Sequence, residues 1–200
     1  MAETTTDSYI RYKVGDTYTD GKKVLSSDDR KTIILLSDDL RTTSGIATMS
    51  KEFVFNTFHR FNWVQLGASI KHPEQGREID FGDDVRKQTG VEDASLKIIP
   101  SSGYGNDVTL RNLLARHNPD AIIHFTDPRF WRWLYDMEAE VRENVPILYY
   151  NIWDNLPTPD YNRNYYASCD GLFCISRQTY GIVNRVLDKF FDDELEIKRI

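Results

Sequence analysis

The stretch KTIILLSDDLRTTSGIATMS, residues 31–50, decides how the rest of the chain is interpreted. Its apolar run at 32–36 ends abruptly in a polar turn, and Gly45 closes that turn. Apolar residues then recur at roughly helical spacing, which predicts a strand, a loop and a helix in that order. Ligands of open parallel α/β sheets bind at the carboxyl ends of the strands, where the first N–H groups of a helix can hold a phosphate. The stretch therefore bears on function as well as on fold.

Length and composition place the chain among ordinary globular proteins. Its 200 residues suffice for one domain with a real core or for two very small domains. The net charge of −6 argues against a general nucleic-acid binder, which usually presents a basic face. No apolar run approaches the roughly 20 residues that a membrane-spanning helix needs, so we expect no transmembrane segment.

The amino terminus and the cysteines point to a cellular location. The opening MAETTTDSY lacks the basic and apolar regions of a secretory signal. Cys169 and Cys174 lack the spacing of a disulfide framework or a zinc site. We therefore predict a reducing, cytoplasmic location.

The order of apolar runs predicts the architecture. Residues 1–30 are rich in turn formers, and we expect a flexible or irregular leader, with a short hairpin as the alternative. Strands are predicted at 32–36, 62–66, 96–99, 121–125, 147–152 and 171–175, and helices at 46–60, 108–117, 129–144, 161–167 and 178–190. Residues 69–95 are predicted to form a loop with at most a short helix. The alternation predicts, over 31–200, a Rossmann-like doubly wound α/β domain with six to seven mostly parallel strands.

Polar residues follow five of the predicted strands. They lie at 37–39, 100–105, 124–127, 151–155 and 176–177. At any single strand end such residues can simply cap a helix or solvate a loop. Because the carboxyl ends of parallel strands meet at one edge, the five sets together favour a binding cleft.

Two residue types in this cleft are candidates for chemistry. His124 is the best-placed histidine, either as a general base or hydrogen-bond donor to substrate, or as a satisfied core residue. Most aromatic residues of the second half are expected to pack between helices and sheet. Trp153 is the exception, because it lies in a strand-end loop among polar neighbours. No histidine pair has metal-ligand spacing, and we expect no metal site.

These residues together resemble a known family. Four segments carry the likeness: SDDLRTTSGIATMSKEF, NPDAIIHFTDPRFW, PILYYNIWDN and SCDGLFCISRQTYGIV. In order and spacing they resemble the N-terminal domain of a GT-B glycosyltransferase of the retaining, glycogen-synthase-like group, the glycosyl transferases group 1. The resemblance covers residues 31–200 and implies one half of a GT-B fold.

The resemblance implies a role for each strand end. Ser44 and Gly45 would contact the diphosphate of a nucleotide-sugar donor. The catalytic residues would be Asn151, His124 and Asp154, although Asn151 stands where many members have a histidine and cannot shuttle a proton. The acceptor, a carbohydrate or another hydroxyl compound, would be bound by Asp38, Asp127, Trp153, Asn155, Ser176 and Arg177.

The resemblance also implies what accompanies this domain. Transfer would proceed with retention and without a metal or other cofactor. Most donor contacts would come from a C-terminal GT-B domain, supplied in cis or in trans. Since the 200 residues end where the family begins its crossing to that domain, we expect no transfer by them alone.

Two alternative readings stay open. The first is a non-catalytic carbohydrate- or ligand-binding α/β module, which Asn151 and the lack of a second domain favour. A reading frame that continues past residue 200 with a Glu-x7-Glu pattern would support the enzyme instead. The second is an unrelated doubly wound domain, such as a flavodoxin-like receiver, in which Asp38 and Asp39 would fit the acidic pocket but no strand-end lysine answers them.

Overall fold

A computed structural model describes residues 11–188, which form a three-layer α/β structure around one seven-stranded sheet. The strands are β1 (Lys31–Asp38), β2 (Phe61–Ala68), β3 (Ile79–Asp80), β4 (Leu96–Pro100), β5 (Ala121–His124), β6 (Ile147–Asn151) and β7 (Gly171–Cys174). The α-helices are α1 (Gly45–Phe55), α2 (Gly82–Thr89), α3 (Asp107–His117), α4 (Arg132–Asp136), α5 (Glu138–Arg142), α6 (Arg163–Ala167) and α7 (Arg177–Asp188). Two 3-10 turns, Pro128–Trp131 and Asp160–Asn162, precede α4 and α6.

The strand order is that of a doubly wound fold. It runs β3-β4-β2-β1-β5-β6-β7, and every pair is parallel except the short β3 against β4. Counted along the chain, the six parallel strands follow the order 3-2-1-4-5-6, which is the order of the Rossmann fold. The predicted fold class, a Rossmann-like α/β sheet with mostly parallel strands, is confirmed.

Strand β1 lies at the centre of this sheet. It pairs along its whole length with β2 and at four positions with β5. Residues 33–36 are buried, because helices cover both faces of the sheet. One face carries α1 and α2, and the other carries α3, α4 and α5, with α6 and α7 continuing that layer past β6 and β7. A strand buried on both faces reads as a continuous apolar run, which is why β1 was recognisable.

The structure departs from the predicted elements in three places. Residues 69–95 contain the edge strand β3 as well as the eight-residue helix α2, which ends at Gly90 in the left-handed conformation. The helix expected at 46–60 ends at Phe55, where Asn56 leaves helical dihedral angles. The helix expected at 129–144 is divided into a 3-10 turn, α4 and α5, because Met137 adopts φ −114° and ψ 15°. Residues 189 and 190 of the last predicted helix lie outside the described residues.

Residues 11–30 differ from a flexible leader. Thr17 and Lys23 form an antiparallel bridge, and Val24 is buried in the same core cluster as α1. Tyr18 stacks on the buried His59 with ring centroids 4.1 Å apart. This segment is irregular in secondary structure but packed, because its apolar side chains lie against the core cluster that contains α1. The remainder of the expected leader, residues 1–10, lies outside the described residues.

A buried polar network fixes the bend that follows β1. The Gln65 amide donates to the Ser37 hydroxyl and to the Asp38 carbonyl at 2.8 Å each, and its oxygen accepts from the Leu40 N–H at 3.2 Å. The Asp39 carboxylate is fully buried against Gly67 of β2. It receives two hydrogen bonds from the Arg41 guanidinium, at 2.8 and 2.7 Å, and one from the Arg41 N–H, at 2.9 Å. The bend therefore leaves the sheet in one direction, toward the start of α1.

The close approach of Asp39 to Gly67 yields a stability prediction. In Gly67→Ala the new Cβ would overlap the Asp39 carboxylate. Overpacking of this kind costs about 1–3 kcal/mol, and we expect that loss in the free energy of unfolding measured with urea. Gly103→Ala is the matched control, because no atom lies within 4 Å of its added Cβ. Equal stability of the two variants would show that the bend is not held by this contact.

Candidate functional site

The sheet reverses its winding between β1 and β5, and this switch point locates the candidate site. Leu36 of β1 lies level with His124 of β5, and the Phe125 N–H donates to the Leu36 carbonyl at 2.9 Å. Beyond this level the segments that follow β1 and β5 separate. The first leads to α1 on one face of the sheet, and the second leads to α4 on the opposite face. In open α/β sheets, such a separation leaves a crevice in which ligands bind.

The first turn of α1 faces this crevice. Ser44 is its N-cap: the hydroxyl accepts from the Ala47 N–H at 3.0 Å and donates to the Asp38 carboxylate at 2.5 Å. Within residues 11–188, the N–H groups of Gly45 and Ile46 have no hydrogen-bond acceptor. Gly45 is exposed, and no atom lies within 4 Å of the position that a Cβ would take. The start of α1 therefore combines two unbonded N–H donors and the positive end of the helix dipole with an exposed, unobstructed position at Gly45, as an anion site requires.

Asp38 is the acidic wall of this crevice. Its carboxylate is almost fully buried and accepts from the hydroxyls of Ser44, at 2.5 Å, and Tyr104, at 3.4 Å. These two donors compensate part of its charge. Asp38 therefore links the N-cap of α1 to Tyr104, in the loop between β4 and α3. The free N–H groups of α1 follow Ser44 in the chain.

Thr126 is a residue of the crevice that sequence reasoning missed. Its φ of 69° is in the left-handed region, although it is β-branched and only 8% exposed. Its backbone and hydroxyl make no hydrogen bond to any residue in 11–188. Such a conformation costs about 1–3 kcal/mol and tends to occur at functional sites. No sequence signal marks it, because threonine normally avoids this conformation; Ser69, at the end of β2, adopts a similar φ of 61°.

His124 is placed in the core rather than in the cleft. Its ring is fully buried, stacks on Tyr149 at 4.3 Å and forms a 2.5 Å hydrogen bond through Nε2 to the Tyr135 hydroxyl. Burial lowers the pKa of His124 to about 3, so the imidazole is neutral at physiological pH. The structure does not bring His124 to the solvent-accessible cleft, and its catalytic role stays a prediction that requires a rearrangement.

Asn151 is also buried. Its Oδ1 accepts from the Trp153 N–H at 2.9 Å and from the Tyr149 hydroxyl at 3.3 Å, while its Nδ2 has no partner among the described residues. The equally buried Asn162 amide and Tyr166 hydroxyl lie close by without a hydrogen bond of normal geometry. In this arrangement Asn151 shapes the loop that follows β6, and its catalytic role stays a prediction.

The loop after β6 carries three further candidates, Trp153, Asp154 and Asn155. Asp154 and Asn155 are exposed, and the Trp153 indole N–H donates to the Asn155 carbonyl at 2.8 Å. The Trp153 ring meets Tyr161 edge to face at 6.1 Å. The Gln178 amide donates to the Asp154 carbonyl at 2.6 Å, which ties this loop to the start of α7.

Asp127 connects the end of β5 to the same loop. Its carboxylate caps the following 3-10 turn through the Arg129 N–H at 2.9 Å and accepts two bonds from the Arg129 guanidinium, at 2.9 and 2.5 Å. This carboxylate raises the pKa of Arg129, whose guanidinium lies 4.8 Å from the centre of the Tyr161 ring. Asp127, Arg129 and Tyr161 therefore form one surface beside the crevice.

Ser176 and Arg177 lie farther from the crevice. The Ser176 hydroxyl caps α7 through the Thr179 N–H at 3.1 Å. Arg177 is exposed, forms no ion pair within residues 11–188 and lines a cavity of about 250 Å³ together with Ser176 and Tyr180. Three strand spacings separate β7 from β1, which is about 14 Å. The structure thus gathers Asp38, Ser44, Gly45 and Asp127 near the switch point and leaves Ser176 and Arg177 on its flank.

The described residues lack both a cluster of metal ligands and a membrane-spanning helix. Among residues 11–188, no three His, Cys, Asp or Glu side chains form a group that could hold a metal ion. In the same range, no helix combines the length and the apolar character that crossing a membrane requires.

The strain at Thr126 predicts an unusual gain in stability. Thr126→Gly relieves the left-handed conformation, and we expect the free energy of unfolding to rise by about 1 kcal/mol. Thr43→Gly, at an exposed loop residue with an ordinary φ, serves as the control and should not gain stability. A loss of stability in Thr126→Gly would contradict the account of strain at this position.

The buried imidazole predicts a specific pH dependence. The unfolded chain binds a proton at His124 near pH 6.5 and the folded chain only near pH 3, so stability falls as the pH decreases through this window. Between pH 7 and pH 5 the wild type should lose about 2 kcal/mol more than His124→Gln in urea unfolding. Parallel pH profiles for the two proteins would show that His124 titrates normally and is accessible.

Comparison of the sequence with models of known protein families gives no match, and comparison with curated proteins gives no significant relative. The resemblance to a glycosyltransferase domain therefore remains a prediction.

Proposed function

We propose that this chain is the acceptor-side, Rossmann-like N-terminal domain of a retaining, nucleotide-sugar-dependent glycosyltransferase of the GT-B type. The open N-terminus of α1 at the switch point is the observation that carries the proposal. Its free Gly45 and Ile46 N–H groups suit the diphosphate of a nucleotide sugar.

The weak binding expected at this anion site fits a donor that is held jointly by α1 and a second domain. A helix N-terminus contributes typically 0.3–1 kcal/mol per interacting charge, so α1 alone binds a diphosphate weakly. In the proposal a C-terminal GT-B domain, in cis or in trans, holds most of the donor, and α1 contacts the diphosphate from the other side of the cleft.

In the proposed reaction the residues of this domain act by position and charge. The bond from the donor's anomeric carbon to the diphosphate breaks, while the acceptor hydroxyl forms its bond to that carbon on the same face and passes its proton to the leaving diphosphate. The N–H groups at Gly45 and Ile46 stabilise the negative charge that develops on this leaving group. This role needs no metal or other cofactor. The Asp127 carboxylate and the Arg129 guanidinium offer an acceptor and donors to hydroxyls of the sugar acceptor. A cytoplasmic location belongs to the proposal, in keeping with the free thiols of Cys169 and Cys174.

A second candidate function is a carbohydrate- or ligand-binding module without catalysis. The burial of both His124 and Asn151 favours it, because neither side chain reaches a bound substrate in this conformation. The two candidates differ in turnover: the product of the complete reading frame should transfer sugar from one of a panel of nucleotide sugars. Failure with every nucleotide sugar and a broad set of acceptors would leave the binding module.

The diphosphate contact is tested with Gly45→Glu. Glutamate suits the first turn of a helix, so the fold should be kept or slightly stabilised, whereas its charge repels an anion. Calorimetric titration of the full chain with uridine diphosphate and with pyrophosphate should give millimolar affinity, weakened at least tenfold in Gly45→Glu.

Gly103→Glu is the control, because Gly103 is also exposed and has open space around it. It adds the same charge after β4 and should bind like the wild type. Equal affinity of Gly45→Glu and the control, or no binding of either anion at several millimolar, would contradict the proposal.

A further inference from the structure

A rigid aromatic side chain stands exposed beside the crevice. Phe130 is 51% exposed, yet its ring stacks on Tyr104 with centroids 4.4 Å apart and planes 17° from parallel. Stacking on Tyr104 covers one face of the Phe130 ring. The remaining surface of the residue is open to solvent. A large apolar ring that is held in place by stacking offers contact area to a ligand at little cost in side-chain entropy.

Tyr104 is held in place on several sides. The buried Trp131 meets it edge to face at 5.1 Å, and the Trp133 indole N–H donates to its carbonyl at 3.1 Å. Its hydroxyl reaches the Asp38 carboxylate at 3.4 Å. The ring on which Phe130 stacks is therefore positioned before any ligand arrives, which reduces the entropy lost on binding.

We propose that Phe130, backed by Tyr104, is an aromatic platform that binds the acceptor through the apolar face of a pyranose ring. This inference rests on the proposed function and narrows its acceptor from any hydroxyl compound to a carbohydrate. A pyranose has an apolar face of C–H groups and a rim of hydroxyls, so it needs a flat apolar surface with hydrogen-bonding groups at its edge.

The residues next to the platform supply that edge. Arg129 immediately precedes Phe130 in the chain and Asp127 lies three residues before it, and their mutual hydrogen bonds fix both side chains at the surface. The carboxylate side chain is 16% exposed and the guanidinium side chain 56%, so both can bond to hydroxyls. A purely apolar partner would instead strip the water from these charged groups, which is costly.

The platform is also adjacent to the proposed diphosphate site. Phe130 contacts Tyr104, Tyr104 contacts Asp38, and Asp38 contacts Ser44, the residue before Gly45. This series of contacts connects the platform to the start of α1, where the proposed function places the donor. A hydroxyl of the bound ring can then approach the donor sugar.

Saturation-transfer difference NMR on the full 200-residue chain tests the platform. The probes are millimolar methyl glycosides of glucose, galactose, mannose and N-acetylglucosamine, with uridine as a probe for base stacking. At least one glycoside should receive saturation chiefly at the C–H groups of one ring face. Phe130→Ala should reduce this signal at least fivefold and Phe130→Tyr should keep it. Val108→Ala, at an exposed residue of α3, should behave like the wild type.

Three results would overturn the inference: no signal from any glycoside, an unchanged signal in Phe130→Ala, or saturation of uridine alone at Phe130. Together with the diphosphate titration, this experiment distinguishes a failure of the platform from a failure of the proposed function. Diphosphate binding that depends on Gly45, without glycoside binding, removes only the platform. Glycoside binding that depends on Phe130, without diphosphate binding, keeps the platform and removes the donor contact.

Discussion

The buried ion pair of Asp39 and Arg41 is the interaction on which the candidate site depends. The Asp39 side chain has no exposed surface, and Arg41 supplies two hydrogen bonds that compensate its charge. Loss of the partner of a buried charge typically costs about 3–5 kcal/mol, so the bend after β1 is strongly specified. Glycine at position 67 leaves room for this carboxylate beside β2, because a Cβ there would overlap it. Since the bend sets where Ser44 caps α1, the direction of the free N–H groups follows from it.

Much of the fold was predictable because its strands are buried on both faces. The apolar runs that became β1, β2 and β4–β7 needed no alternation with polar residues to be recognised. Asp127 and Ser176 cap the elements that follow β5 and β7, which is a common role for these residue types. The edge strand β3 was missed because its two residues carry no periodicity, and the division of 129–144 was missed because tertiary packing overrides helical propensity.

The candidate site was predictable only in outline. Gathering polar residues at one edge required no more than the parallel order of the strands, and it held for Asp38, Ser44, Gly45 and Asp127. Whether a polar side chain points into the cleft or into the core depends on packing. His124, for which a core position was the stated alternative, is buried, and so is Asn151, which was expected to line the cleft. The strained Thr126 and the exposed stack of Phe130 on Tyr104 also arise from tertiary contacts. They are the features that sequence reasoning could not supply.

The central claim is that the switch point between β1 and β5 binds an anionic ligand at the start of α1. The most direct measurement is a two-dimensional ¹⁵N–¹H spectrum of the isotopically labelled chain during titration with uridine diphosphate. The account predicts that the amide signals of Gly45 and Ile46 shift first and furthest, and that they saturate together. Shifts centred instead on Arg177 and Gln178 at the start of α7, or no saturable shift at either helix, would contradict it.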